Sequence, residues 1–182
     1  LVTEVESTPP PYTNRESVVD TRGDINGVEG TYVTIHARAN REIASATVEF
    51  DPLPAGVTAE ARAAAGSETI RVTKIEDKDL QVGFYLRLKS DRASPWHESY
   101  ALRFNTADGY RNQDPVVHTI DVKPDLAPLV EILQPKESDV EVPINRKLKM
   151  QVRAIDPDFA LSRVRLVAVS GGRDLLDVAL LE

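Results

Sequence analysis

Apolar and polar side chains alternate along this chain with a period of two, and helical periodicity is nearly absent. Thr31, Val33, Ile35, Ala37 and Ala39 alternate with Tyr32, Thr34, His36 and Arg38. Beyond an Asn40-Arg41-Glu42 turn, Ile43, Ala46, Val48 and Phe50 face one way, and Thr47 and Glu49 the other. Ile70, Val72 and Ile75 form a third run, and Leu80, Val82, Phe84, Leu86 and Leu88 a fourth. Tyr100, Leu102 and Phe104 make a fifth, closed by the turn signal Asp108-Gly109, and Val116, Ile120 and Val122 a sixth. Successive side chains on a strand point to opposite faces, so these runs predict half-buried antiparallel strands that are polar toward solvent. Residues 59–65, Ala-rich and bracketed by Pro and Gly, predict a turn of helix joining two strands.

The segment Lys123-Pro124-Asp125-Leu126-Ala127-Pro128 breaks the alternation. Two prolines this close cannot both sit inside a sheet ladder, which predicts a short, stiff linker. Alternation resumes over residues 129–133, then at Val140, Val142 and Ile144, and at Leu148, Met150, Val152 and Ala154. It continues at Val164, Leu166 and Ala168, and at Leu176, Val178 and Leu180. Residues 31–37 lie over 148–154 with apolar positions in phase, and 43–50 over 161–168 with one residue inserted in the turn. This match predicts a repeated domain. The expected organisation is an N-terminal extension or first edge strand over 1–23 and a sandwich over 24–124. A linker over 125–128 and a second, truncated domain over 129–182 follow. The first domain supplies the roughly seven strands a sandwich needs. The second supplies fewer and leaves a strand edge unpaired.

Composition then removes several classes of function. The 182 residues fit one to two domains, and 41% hydrophobic with 28% charged residues suffices for a sizeable core. There is no Cys, which excludes a disulfide framework, a thiolate zinc site and a cysteine nucleophile. A net charge of −7 carries no basic footprint for nucleic acid. No apolar run approaches the ~20 residues of a membrane span, so no direct membrane insertion is expected of this segment. The start at Leu1, with no initiator Met and no leader pattern, reads as a mature or excised piece of a larger protein.

The stretch Ser99-Tyr100-Ala101-Leu102-Arg103-Phe104-Asn105-Thr106-Ala107-Asp108-Gly109-Tyr110-Arg111-Asn112, followed by residues 116–122, Asp125 and Pro128, carries a resemblance. It is similar to the penultimate strand, Asp-Gly-x-x-Asn turn, last strand and interdomain Asp-x-x-Pro of tandem bacterial immunoglobulin-like domains. Asp156-Pro157-Asp158, after Ala154, resembles the turn following the second strand of the next repeat. The resemblance implies an all-β fold, an immunoglobulin-like β-sandwich, with one complete domain followed by a partial second one. It implies that Tyr100 takes the tyrosine-corner position, its hydroxyl tied to upstream backbone. It further implies a larger, membrane-anchored or surface protein of bacterial, extracytoplasmic location, periplasmic or at the cell surface. Two features depart from the family pattern. No Cys pair bridges the sheets, leaving residues such as Ile35 and Leu102 to pack there, and Trp96 precedes the Tyr100 strand instead of lying on the third strand.

Candidate chemistry is sparse. His36 and His118 fall on the solvent phase of strands and His97 in a turn, without the spacing of a zinc site, so all three read as surface histidines. There is no Gly-x-Ser-x-Gly elbow, and His97, Glu98 and Ser99 are sequence neighbours that cannot form a triad among themselves. Gly171-Gly172 follows a strand but opens no helix, which argues against a phosphate loop. No catalytic or cofactor-binding residue is assigned, and the segment is expected not to be an enzyme.

Calcium is the sharpest metal candidate. Asp125 lies in the linker, with Asp156 and Asp158 in the loop expected to face it, and hard cations favour such carboxylates. A weaker set is Asp108, Asn112 and Asp114, which lacks the regular Asp-x-Asp-x-Asp-Gly spacing and closing Glu. All six residues are also ordinary turn formers. Arg22-Gly23-Asp24 matches an integrin-recognition tripeptide and is equally a Gly turn before a strand. Trp96, Tyr110 and Phe159 are candidates for exposed aromatics that stack on sugars or a partner. The expected function is a spacer or protein-binding module that pairs with a protein partner or with itself through its open C-terminal sheet edge. The alternative is a carbohydrate- or protein-ligand-binding accessory module of a larger enzyme.

Overall fold

A computed structural model describes residues 2–53, 57 and 68–181. The helical turn expected over 59–65 lies outside the described residues. The chain divides into two compact units, Leu1–Pro124 and Asp125–Glu182. Among the described residues no helix is long and apolar enough to cross a membrane.

The first unit is built from β1 (Val2–Thr8), β2 (Val18–Asp20), β3 (Ile25–Val28), β4 (Tyr32–Arg38) and β5 (Ile43–Phe50). It continues with β6 (Thr69–Arg71), β7 (Lys74–Glu76), β8 (Asp79–Tyr85), β9 (Ser99–Thr106) and β10 (Val117–Lys123). One sheet has the order β2-β1-β4-β8-β7 and the other β3-β10-β9-β5-β6. Their inner faces share one aliphatic core, with Val5, Val33 and Ile35 from the first sheet against Val48, Phe50, Tyr100 and Ile120 from the second. This is an all-β sandwich. The alternation read on β4 holds for its inward face, where Val33, Ile35 and Ala37 are buried; on the other face Tyr32 and Arg38 are exposed, while Thr34 is buried and His36 half-buried.

The structure departs from the alternation in four places. On β5, Ile43 and Ala46 both face the core although three residues apart, because the register against β9 shifts between Ile43 and Ser45. That bulge absorbs the odd residue. A second shift, between Val2 and Glu4 against β4, does the same for Val2 and Val5. It explains why the pattern left residues 1–23 as an extension or edge strand. β1 is instead an interior strand between β2 and β4, and Val5 is buried.

The third apolar run is two strands in two sheets, not one. β6 pairs with β5, β7 pairs with β8, and Val72, buried at the crossing, donates its amide to the Ala46 carbonyl. Sandwich corners are commonly made by strands that switch sheets in this way. The ladder is also not antiparallel throughout, because β3 and β10 pair in parallel from Ile25↔Ile120 to Val28↔Lys123. Val116 precedes β10 and is exposed.

Tyr100 is fully buried and its hydroxyl donates to the Gly23 carbonyl at 2.6 Å. The partner lies 77 residues upstream, so the bond ties β9 to the approach of β3 and spans the molecule instead of closing a local corner. Gly23 has φ +87°, and a Cβ there would stand 2.4 Å from His118 Cε1. The His118 ring in turn stacks on Tyr100, with centroids 5.2 Å apart.

The second unit contains β11 (Leu129–Gln134), β12 (Gln151–Ile155), β13 (Val164–Ser170) and β14 (Arg173–Leu181), paired as β11-β12 and β13-β14. Gly171 and Gly172, at φ +56° and +75°, form the tight turn between β13 and β14, the two-residue geometry that suits the twist of a hairpin. The strand expected at Val140, Val142 and Ile144 is irregular, and Ile144 is fully exposed. The buried hydrophobic residues of the described chain, from Val5 to Val122, all belong to the first unit.

Replacing Tyr100 by Phe keeps the ring packing and leaves the Gly23 carbonyl unpaired. We expect a loss of about 1–3 kcal/mol, read as a lower urea midpoint at unchanged slope. Gly23→Ala is expected to lose more, since it adds a left-handed backbone penalty to the collision with His118. A Tyr100→Phe midpoint equal to wild type would show that the bond contributes nothing.

Candidate functional site

The densest polar cluster among the described residues sits where β5 ends and β9 begins. Asp51 adopts a left-handed φ of +46°, which turns its side chain back toward the start of β9. Its Oδ1 accepts the amides of Glu98 at 2.8 Å and Ser99 at 3.1 Å, and its own amide donates to the Ser99 carbonyl at 2.9 Å. Its Oδ2 stands 2.8 Å from His97 Nδ1. On the far side of the ring, His97 Nε2 is 3.2 Å from Glu68 Oε2, which also accepts the Trp96 indole N–H at 3.2 Å. Partial burial pushes the Asp51 carboxyl up, but the hydrogen bonds from His97, Glu98 and Ser99 outweigh it and hold the group below the ordinary carboxylate value.

His97 is therefore not the surface histidine its turn position suggested. Its side chain is only 17% exposed and stacks on Phe50 at 4.1 Å. Beside it opens a cleft of about 120 Å³, lined by Phe50, Glu68, Phe84, Arg87, Trp96 and His97 among others. Trp96 is half exposed at its mouth, at 50%. A carboxylate on each side fixes the imidazole, but the second nitrogen faces Glu68 and not a hydroxyl. The arrangement orients a ring and rims an aromatic cleft. Sequence reading missed it because Asp51, Glu68 and His97 come from three separate segments. The only local signal was Asp51 directly after a buried Phe50.

Arg22-Gly23-Asp24 is internally engaged. The Arg22 guanidinium binds the Asp20 carboxylate at 2.7 Å, and its hydrogen bonds bring that carboxyl down to about 2. Asp24 Oδ1 accepts the Thr119 amide at 2.9 Å and hydroxyl at 3.0 Å, bonds that hold it below the ordinary value. The Arg22 charge is paired with Asp20 at the end of β2, and the Asp24 charge serves the junction between β3 and β10. His118 is likewise half-buried rather than a surface group. Burial lowers its pKa below the ordinary 6.5, with the Asp24 charge opposing. His36 lies half-buried on β4.

Of the acidic candidates for calcium, Asp156 and Asp158 accept backbone amides. Asp156 Oδ1 accepts the amides of Asp158 at 3.0 Å and Phe159 at 2.8 Å. Asp158 Oδ2 accepts the Leu126 amide at 2.9 Å, which brings this loop beside the residue that follows Asp125. Asp108 is bonded by Arg41 and by the Thr106 hydroxyl, and Asp114 is exposed. Asn112 zips onto β9, accepting the Phe104 amide at 2.9 Å and donating to the Leu102 carbonyl at 2.7 Å. Among the described residues no three His, Cys, Asp or Glu side chains come together in a group that could hold a metal ion. Of the aromatic candidates, Tyr110 is exposed under the Arg41 guanidinium at 5.2 Å, and Phe159 is half-buried. Neither lines the Trp96 cleft.

No family model matches this chain, and no curated protein or solved structure matches it.

With its pKa lowered on folding, His118 binds fewer protons in the folded chain than in the unfolded one. Its contribution is complete above about pH 6.5 and is lost as pH falls below that value toward the folded-state pKa. The urea midpoint should therefore drop between pH 7.5 and 5, and drop less in His118→Gln. Equal pH dependence in the two proteins would remove His118 as the cause. Because Asp156 and Asp158 are engaged by backbone amides and Asp108 by Arg41 and Thr106, millimolar calcium or a chelator should leave the melting temperature unchanged, and a rise with calcium would reinstate a site at Asp125, Asp156 and Asp158.

Proposed function

We propose that the chain is a non-catalytic, immunoglobulin-like module, a spacer or protein-binding ectodomain segment of a larger extracytoplasmic bacterial protein. The observation that carries this reading is strand order. Taking β1, β4, β5, β7, β8, β9 and β10 as strands A to G, one sheet runs β1-β4-β8-β7 and the other β10-β9-β5. Those are the A-B-E-D and G-F-C orders of an immunoglobulin sandwich. The second unit adds support, since β11·β12 and β13·β14 repeat the antiparallel pairings β1·β4 and β5·β6. The missing disulfide is offset by aliphatic packing around Ile35 and Val48, both fully buried.

The half-exposed Trp96 beside Glu68 and Arg87 favours a second reading, a ligand-binding accessory module in which the cleft takes a sugar ring. Under the first reading, an antibody raised against this chain should label intact or outer-membrane-permeabilised bacteria that carry the protein. Labelling only after full lysis would count against it. Under the second, an oligosaccharide array should give binding that Trp96→Ala reduces at least tenfold, and an array with no signal would set that reading aside.

A further inference from the structure

We propose that the cleft between the β2-β1 end of one sheet and the β3-β10 end of the other binds a small amino alcohol, its hydroxyl on the buried Thr31 and its ammonium among the carboxylates of the rim. The cleft measures about 530 Å³, and every residue that lines it belongs to the first unit. That volume lies within the ~300–1,000 Å³ typical of small-molecule sites. It shares no lining residue with the Trp96 cleft.

Thr31 forms part of the lining and is 1% exposed, yet its Oγ1 has no hydrogen-bond partner. Among the described residues it is the one buried side-chain polar atom in that state. Its main chain is already committed, the amide to the Val28 carbonyl at 3.1 Å and the carbonyl to the Leu86 amide at 2.9 Å. Thr13 and Thr106, also buried, both engage their hydroxyls. Buried hydroxyls ordinarily have a partner, so an orphan bordering a cleft points to a group that enters it. Gly27 lines the cleft as well, and a Cβ there would stand 3.3 Å from Thr31 Oγ1 and 2.8 Å from Leu86 Cδ1. Its lack of a side chain leaves the terminal methyl of Leu86 standing over the approach to the hydroxyl. A methyl at the end of a rotatable chain can swing aside, where a Cβ could not.

The rest of the lining selects the class of ligand. Val5, Val18, Ile25 and Val28 offer apolar surface to a hydrocarbon stem. Four carboxylates, Glu16, Asp20, Asp24 and Asp121, stand against two guanidiniums, Arg15 and Arg22. Arg22 is committed to Asp20 at 2.7 Å. Asp121 accepts from the neutral Asn26 amide at 3.0 Å, and Asp24 from the Thr119 amide and hydroxyl. Those bonds hold the two carboxylates in place without cancelling their charge. The excess of negative charge attracts a cation and repels an anion. Among the described residues no group of metal ligands gathers, so the cation indicated is organic. An ammonium is costly to bury against a lone hydroxyl, which places the charge at the carboxylates. The Thr31 hydroxyl both donates and accepts, and its natural partner is a neutral hydroxyl at the other end of the stem.

The test is an amide NMR titration of the full chain with straight-chain amino alcohols of increasing length, aminopentanol among them. At least one should give saturable shifts at Gly27, Thr31 and Asp121, with a dissociation constant of about 1 mM or below. Three relatives of that ligand separate its parts. The diol, without the charge, and the alkylamine, without the hydroxyl, should each bind at least threefold more weakly, and the hydroxy acid should not bind. Thr31→Val keeps the shape of the side chain and should erase the preference for the amino alcohol over the alkylamine, with no fall in the urea midpoint. Asp121→Asn, on the exposed rim, should shrink the preference over the diol, and it carries the test alone if Thr31→Val does not fold. Shifts that never saturate, or that spread over other acidic surfaces, mean charge screening only and overturn the proposal. Equal binding of the hydroxy acid overturns it, as does a Thr31→Val protein that keeps the full preference. An Asp121→Asn protein whose preference over the diol is unchanged overturns it too.

Discussion

Tyr100 is the largest side chain that is wholly removed from solvent, and a phenol hydroxyl in such a place must have a partner. Burial pushes its pKa up, which favours the protonated, donating phenol. The acceptor is the Gly23 carbonyl, and much follows from reaching it. The backbone at residue 23 must turn into a left-handed conformation, and it must carry no Cβ because the His118 ring occupies that space. The turn delivers Asp24 to the amide and hydroxyl of Thr119, and that contact sets β3 alongside β10 in parallel. One buried hydrogen bond thus fixes how the N-terminal part of the sandwich is joined to its last strand. A tripeptide that looks like a recognition motif in isolation is the hinge of that junction.

What could be read from the sequence was what local periodicity carries. β4, β8 and β9 largely follow the alternation because each has one face on the core: Val33, Ile35, Ala37, Leu80, Val82, Tyr100 and Leu102 are buried, and Phe84 and Phe104 half-buried. The misread elements share one physical cause, a decision made by distant partners. Bulges at Val2 and Ile43 break the period of two without ending the strand. The exchange of sheets at Val72 sits where the phase slips, since Ile70 and Val72 are two residues apart and Ile75 three further on, a slip that does not by itself say which sheet each side joins. Parallel pairing of β3 with β10 joins segments almost a hundred residues apart, and nothing in Ile25-Asn26-Gly27-Val28 announces it.

The site was less legible than the fold for the same reason. Asp51, Glu68 and His97 converge only because β5, β6 and β9 are neighbours in one sheet, and an orienting pair drawn from separate strands has no spacing rule. The acidic residues of the loops were conspicuous by composition, yet Asp156 bonds the amides of its own turn, Asp158 the Leu126 amide and Asn112 the Phe104 amide. Asp and Asn are favoured in loops because they can do this, which makes composition a poor guide to metal binding.

The two units differ in how far four strands and ten strands can exclude water. Each hairpin of the second unit has an apolar and a charged face, the same raw material as the strands of the first. Among the described residues no further strand closes over that apolar face. The closed core of the first unit is made of Val, Ile, Leu, Ala, Phe and Tyr, without a sulfur atom among its buried residues. The single Met, Met150, belongs to the second unit. Peroxide or a thiol reductant therefore finds no thiol, thioether or disulfide to act on inside the sandwich, and its packing is the same in a reducing cytosol as in an oxidising envelope.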